Sequence, residues 1–166
     1  MHRAAAALLL ALATAAPALA AAVARAFTLR LLDSRRTFDS RDAIEKKVLV
    51  VRFQASWCKP CAREAPALER LYARYQPLGV EVVGVQVQDT AADARRFLQQ
   101  HGATYPAGLD PRLKIANRFG VTGTPYTVVI SRAGRVVARL PGESALVRLP
   151  GILDPLTDPA GAGRPR

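Results

Sequence analysis

Residues 46–55, KKVLVVRFQA, contain a continuous β-branched run that stops a few residues short of a helical pattern. From Lys59 to Tyr75 the apolar positions Leu68, Leu71, Tyr72 and Tyr75 recur at helical spacing, until Pro77 and Gly79 end the run. A strand this uniformly apolar is buried, and a helix follows it at once, so the chain is constrained to layer helices over a sheet. Pro66 falls inside the helix and is expected to kink it.

The rest of the chain extends the pattern. GVEVVGVQVQ (79–88) is a second strong strand, and Asp89-Thr90 read as the cap of a helix, AADARRFLQQHG, that stops at Gly102. DPRLKIANRFG (110–120) opens with Asp110 at the cap and Pro111 at the first helical position, and closes on Gly120. YTVVIS and RVVARL flank the short turn RAG and form an antiparallel hairpin. Upstream, FTLRLLD (27–33) reads as an edge strand followed by a turn-like SRRTFDSRD. After Gly142 the pattern is broken by Pro150-Gly151 and Pro155, so residues 143–166 are expected to form a short or frayed tail with at most one or two helical turns. The order β, β, α, β, α, α, β, β describes an α/β domain with a mainly parallel centre that ends in a hairpin. With 166 residues, half of them apolar and few aromatic, the chain is expected to be one domain with an aliphatic core.

The first twenty residues, MHRAAAALLLALATAAPALA, have the layout of a secretory signal peptide: a basic start, an Ala/Leu stretch, Pro17, and Ala18-Leu19-Ala20 as the cleavage pattern. An uncleaved anchor reaching to about residue 24 is the alternative, since residues 4 to 24 carry no charge. Either way the domain is expected to be exported. The formal charge is +11, and removing Arg3 with the leader leaves +10. No basic block is dense enough for a nucleic-acid motif, SRRTF and DARRF being isolated pairs, so the charge reads as a solvated basic surface and no nucleic-acid partner is expected.

Cys58 and Cys61 are the only two cysteines. In an oxidising compartment they pair unless something keeps them reduced. The loop they close is so short that a disulfide there removes little unfolded-state entropy, which argues against a passive staple. A zinc site needs three or four protein ligands, and only His2 and His101 remain, so no metal site is expected. Copper held by the two thiolates and His101 stays open on counting alone. Cys58 follows a buried strand and opens a helix, where unpaired N–H groups and the helix dipole favour a thiolate. Cys61 lies one turn deeper on the same face, so Cys58 is the attacking sulfur and Cys61 the resolving one. Pro60 stiffens the first turn at no hydrogen-bonding cost.

VVRFQASWCKPCAREAP followed by GVTGTPYTVVISRAGRVV resembles the thioredoxin superfamily, and within it the exported TlpA/ResA-like thiol–disulfide oxidoreductases, over residues 27–142. The resemblance implies a thioredoxin-like α/β fold: a central mixed sheet with flanking helices and an extra βα insert, DTAADARRFLQQHGATYPAGLD, before a cis-proline. It implies that Pro125 is that cis residue, facing the disulfide, and that the backbone of Thr124 pairs with substrate. A plain turn before a strand is the bland alternative for both. It further implies that Glu64 modulates proton transfer to the thiols; helping the helix dipole or pairing with an arginine is the alternative. Trp57 is expected to pack beside the disulfide and shape the docking surface, and Phe53 to be core. Arg52 departs from the pattern, since thioredoxins commonly carry Asp there and the TlpA/ResA branch Asn. A buried arginine needs a carboxylate partner, so Arg52 is expected to pair with Glu64 or another acid, or to snorkel outward.

The activity implied is reduction of disulfides in client proteins, such as those preparing apocytochrome c or copper-site thiols. No cofactor beyond the redox-active Cys58–Cys61 disulfide is expected. The implied setting is the periplasm or the extracytoplasmic face of a membrane, with a membrane electron donor restoring the thiols and the protein monomeric. A disulfide-forming oxidant and a copper-handling protein remain alternatives. The Pro-x-x-x-Thr-x-x-Cys pattern of peroxiredoxin-type peroxidases is absent.

Overall fold

The computed structural model describes residues 22–158. The expected leader, residues 1–20, and the end of the expected tail, residues 159–166, lie outside the described residues.

A five-stranded sheet forms the centre. Its strands are β3 (Val48–Gln54), β4 (Val80–Val87), β5 (Ala107–Asp110), β6 (Tyr126–Ile130) and β7 (Val136–Pro141), in the order β5-β4-β3-β6-β7. β3, β4 and β5 are parallel, while β6 runs antiparallel to β3 and β7 antiparallel to β6. All seven residues of β3 are buried, as its apolar run requires. A smaller antiparallel pair, β1 (Thr28–Arg30) with β2 (Thr37–Asp39), crosses the edge at β5, where Leu31 bridges to Gly108. β2 lies within the stretch expected to be only a turn; Phe38 draws it in by packing on Phe27.

Alternation along the central strands sorts the core into two layers. Leu49, Val51, Phe53, Val83 and Val85 face one cluster with Phe97, Ile115 and Phe119. Val48, Val50, Val80 and Val82 face the other, beneath Leu68, Leu71 and Tyr75 of α1 (Lys59–Tyr75). Pro66 sits inside α1, so the Ala62 carbonyl lacks its i+4 donor there. The segment read as an insert forms α2 (Ala91–Gln100) and β5.

Two further expectations need correction. The helix expected over 110–120 is shorter, α3 (Lys114–Phe119), and Pro111 is not its first residue. Asp110 still caps it, but from a distance: the buried Oδ2 accepts from the N–H groups of both Ile115 and Ala116 at 2.8 Å. The tail forms a 13-residue helix, α4 (Ala145–Thr157), despite Pro150 and Pro155. Ala145, Leu146, Leu149 and Leu153 fall on one face and are buried in the α1-side core. Tyr75 donates to Asp154 Oδ1 at 2.5 Å, and Arg132 Nη1 donates to the Leu156 carbonyl at 2.6 Å. That burial and these two anchors outweigh the two backbone hydrogen bonds that the prolines remove.

Candidate active site

β3 ends at Gln54, and four residues later Cys58 serves as the N-cap of α1. Its backbone is extended (φ −84°, ψ 98°), and its Sγ accepts from the Cys61 N–H at 3.2 Å. Cys58 and Cys61 form a disulfide, with Cα atoms 5.2 Å apart. Both residues are buried, Cys58 at 4% exposure. Pro60 occupies the first turn of α1 and lies half-buried.

The loop carrying Cys58 is held from the far side. Asp89, just after β4, accepts from the Ser56 N–H and hydroxyl at 2.7 Å each, and from the Thr90 N–H at 2.9 Å. Thr90 alone caps α2, accepting from the Asp93 N–H at 3.1 Å. Asp89 therefore serves the cysteine loop rather than the helix, a role missed in the sequence. An acid directly ahead of a sufficient threonine cap was the available signal. Trp57 is 57% exposed and donates from Nε1 to the Gln88 carbonyl at 3.2 Å. It forms one wall of an open groove of about 520 Å³ shared with Ala62, Phe97, Gln100 and His101.

Thr124-Pro125 is a cis peptide bond. Pro125 is buried and Thr124 half-exposed, and the next residue, Tyr126, pairs with Phe53 near the end of β3. Tyr126 belongs to the same core cluster as Cys58 and Cys61, so cis-proline and disulfide share one end of the sheet. The plain-turn alternative does not describe this bond.

Arg52 is 1% exposed and does not snorkel. Its Nη2 donates to Glu64 Oε2 at 2.5 Å and its Nη1 to Thr127 Oγ1 at 3.0 Å. Nε has no partner among the described residues, nor does the side-chain amide of Gln86. Glu64, one turn past Cys61, is thus committed to an arginine. Phe53 is core, stacked at a tilt on Phe119.

Among the described residues no group of three or more His, Cys, Asp and Glu is placed to hold a metal, and Cys58, Cys61 and His101 do not form one. His101 instead packs edge-on against Phe97. Among the described residues no helix is long and apolar enough to cross a membrane.

Comparisons with known proteins agree with this geometry. The chain is 36% identical over 140 residues to the thiol:disulfide interchange protein HelX of Rhodobacter capsulatus, covering 84% of this chain and 77% of that protein. It is 32% identical over 114 residues to the thiol-disulfide oxidoreductase ResA of Bacillus thuringiensis, covering 69% of this chain and 66% of the relative, so about two thirds of that relative's length is spanned. A crystal structure of a putative thiol:disulfide interchange protein DsbE from Chlorobium tepidum superposes with a TM-score of 0.75 at 26% identity, covering 83% of this chain and 97% of that one. The fold is thioredoxin-like. The model of the AhpC/TSA family matches residues 20–139, and with a cysteine pair capping α1 and a cis-proline at the same sheet end, the chain belongs to that thioredoxin-like family.

Proposed function

We propose that the protein is an exported thiol–disulfide oxidoreductase that reduces disulfides in client proteins. The observation that carries this reading is Cys58 at the N-cap of α1, its sulfur already accepting the Cys61 N–H. The same N–H, with the helix dipole behind it, stabilises a thiolate when the disulfide is opened.

In the reduced protein the Cys58 thiolate attacks one sulfur of a client disulfide. A mixed disulfide forms and the client's other sulfur leaves as a thiolate. Cys61, having lost its proton to solvent or a nearby base, then attacks Cys58 Sγ and displaces the client's remaining thiolate. Two electrons pass to the client, and Cys58–Cys61 is left as the disulfide seen here. A membrane electron donor returns the two electrons. Thr124 and cis-Pro125 hold the client's extended backbone at the edge of the pair: Thr124 is half-exposed and its backbone makes no hydrogen bond to other described residues. Trp57 and Pro60 shape the rim. Glu64 acts beneath the thiols through its pairing with Arg52.

The relatives' names as thiol-disulfide oxidoreductase and interchange protein support the reaction class, and the TlpA/ResA resemblance supports the reducing direction, with apocytochrome c or copper-site thiols as clients. An extracytoplasmic site of action is supported by the leader-like residues 1–20. Trapping with Cys61→Ser tests the reading: mixed disulfides should accumulate at Cys58 and disappear in the Cys58→Ser/Cys61→Ser protein. Reduction of insulin by Cys58→Ser would overturn it.

A further inference from the structure

We propose that Arg52 is a positioning residue for the exchange chemistry: it fixes Glu64 and, by cancelling its charge, sets the field felt by the Cys58 and Cys61 sulfurs. This rests on Cys58 being the attacking sulfur.

Arg52 is bonded to two of the segments that build the site and belongs to the third. It lies on β3 six residues before Cys58. Its first partner, Glu64, lies on α1 three residues after Cys61, so the two side chains project from neighbouring turns. Its second, Thr127, follows cis-Pro125 by two residues and pairs directly with Arg52 in the β3–β6 register. One planar guanidinium thus ties the cysteine strand, the cysteine helix and the cis-proline strand together.

Its surroundings make the charge effective. Arg52 and Thr127 share a face of the sheet with Gln54, Gly84 and Gln86, all within the sheet and under α1. Gln54 and Gln86 are uncharged and fully buried. Tyr105, bonded to Gln54, is neutral, because burial pushes its hydroxyl up to about 12. A guanidinium stays protonated throughout, so the charge facing it across the pair is that of Glu64. The other charged groups around the cysteines face solvent or are committed elsewhere. Lys59 is exposed, Arg63 pairs with Glu143 on the surface, and Asp93 pairs with Arg96 in the Trp57 groove. His101 lines that same groove, and Asp89 is held by Ser56 and Thr90. Solvent screens the exposed groups, whereas the largely buried Glu64 carboxylate, 12% exposed and one turn from the thiols, is screened far less. If either partner is neutralised, the other acts on the sulfurs alone, and the two cases have opposite sign.

The test is the rate at which iodoacetamide alkylates Cys58 in the reduced protein at about pH 7, the thiolate displacing iodide, with the labelled residue identified by mass spectrometry. Arg52→Gln should slow labelling about tenfold, because an unpaired Glu64 disfavours the thiolate, and Glu64→Gln should speed it by a similar factor. The double variant and Arg52→Lys should each return to within about threefold of the unmodified protein. The same order should hold for the midpoint of the rate against pH, which moves up in Arg52→Gln and down in Glu64→Gln. A merely structural pair would lower the melting temperature without opposite shifts in rate. Single variants that move the rate in the same direction, or leave it unchanged, overturn the proposal. Should Arg52→Gln not fold, Glu64→Gln decides alone, since its amide oxygen still accepts from Arg52; an unchanged or slower rate then overturns it. Preferential labelling of Cys61 in the unmodified protein would refute the choice of attacking sulfur, a separate result from a Cys58 rate that ignores Arg52.

Discussion

Asp89 grips Ser56 twice, accepting from its backbone N–H and its hydroxyl at 2.7 Å each, so the residue two before Cys58 is fastened to the start of the α2 loop. Trp57, between the gripped serine and the cysteine, donates to Gln88, the neighbour of Asp89. Two adjacent residues of one loop thereby hold two adjacent residues of the other.

Asp89→Ala should free this loop while leaving the sheet intact. Losing three charge-assisted bonds, two to Ser56 and one to the Thr90 N–H, and stranding the Ser56 N–H should cost about 1–3 kcal/mol. Trp57 is the only tryptophan, so its fluorescence anisotropy reports the loop directly. It should fall in the variant, and an unchanged anisotropy would show that the loop is held elsewhere.

Leu149→Ala should destabilise the protein by about 2–5 kcal/mol, the range for a buried leucine whose cavity cannot collapse. Leu149 is fully buried in the core beneath α1, on a helix anchored by Tyr75 and Arg132. Urea unfolding of the oxidised protein measures this. A loss no larger than that of Val147→Ala, an exposed position on the same helix, would mean that α4 does not contribute to the core.

Gly108→Ala tests the docking of the β1–β2 pair. A Cβ at this position would lie 2.3 Å from the Arg30 carbonyl oxygen and 2.5 Å from Leu29 Cγ, so the hairpin must lift from β5. Overpacking of this kind costs about 1–3 kcal/mol. Hydrogen exchange should show earlier opening at Leu32, whose N–H donates to the Ala107 carbonyl, than at β3. Equal protection at Leu32 in both proteins would reject this account.

Alkaline titration should separate folded from unfolded tyrosines. Burial raises Tyr72 and Tyr105 to about 12, with Glu81 adding to the effect on Tyr72, and burial raises Tyr75 as well. Because these folded values exceed the unfolded one, their contribution to stability is complete below about pH 10 and is lost as pH rises toward 12. At about pH 11 the tyrosinate absorbance of the folded protein should fall well short of that in guanidinium chloride. Equal absorbance would mean that the three hydroxyls are not shielded.

Much of the frame could be read directly from residue order. β3, β4 and the β6–β7 hairpin carry apolar, β-branched runs that exclude other conformations, and α1 and α2 carry clean helical periods with caps or stops. The Arg52–Glu64 pairing was legible only as one of three outcomes, because local sequence does not decide between Glu64, another acid and snorkelling outward. α4 was hidden because two prolines were weighed as local breakers, whereas the 145, 146, 149, 153 stripe had a whole sheet face to cover. α3 came out shorter because Asp110 reaches over three residues to cap it, a geometry no spacing rule anticipates. Ser56–Asp89 joins residues 33 apart, and a contact of that range depends on how β3 and β4 end side by side rather than on either local sequence.

The strand β6 also sets a direction. It begins beside cis-Pro125 and ends near the turn where Ala22, Val23 and Ala24 are stitched to Gly134, Arg135 and Val136. Five residues of strand cover roughly 15 Å, so whatever precedes Ala22 joins the domain a strand's length from the disulfide, at the opposite pole. The attachment point is therefore a handle and the cysteine edge a working tip.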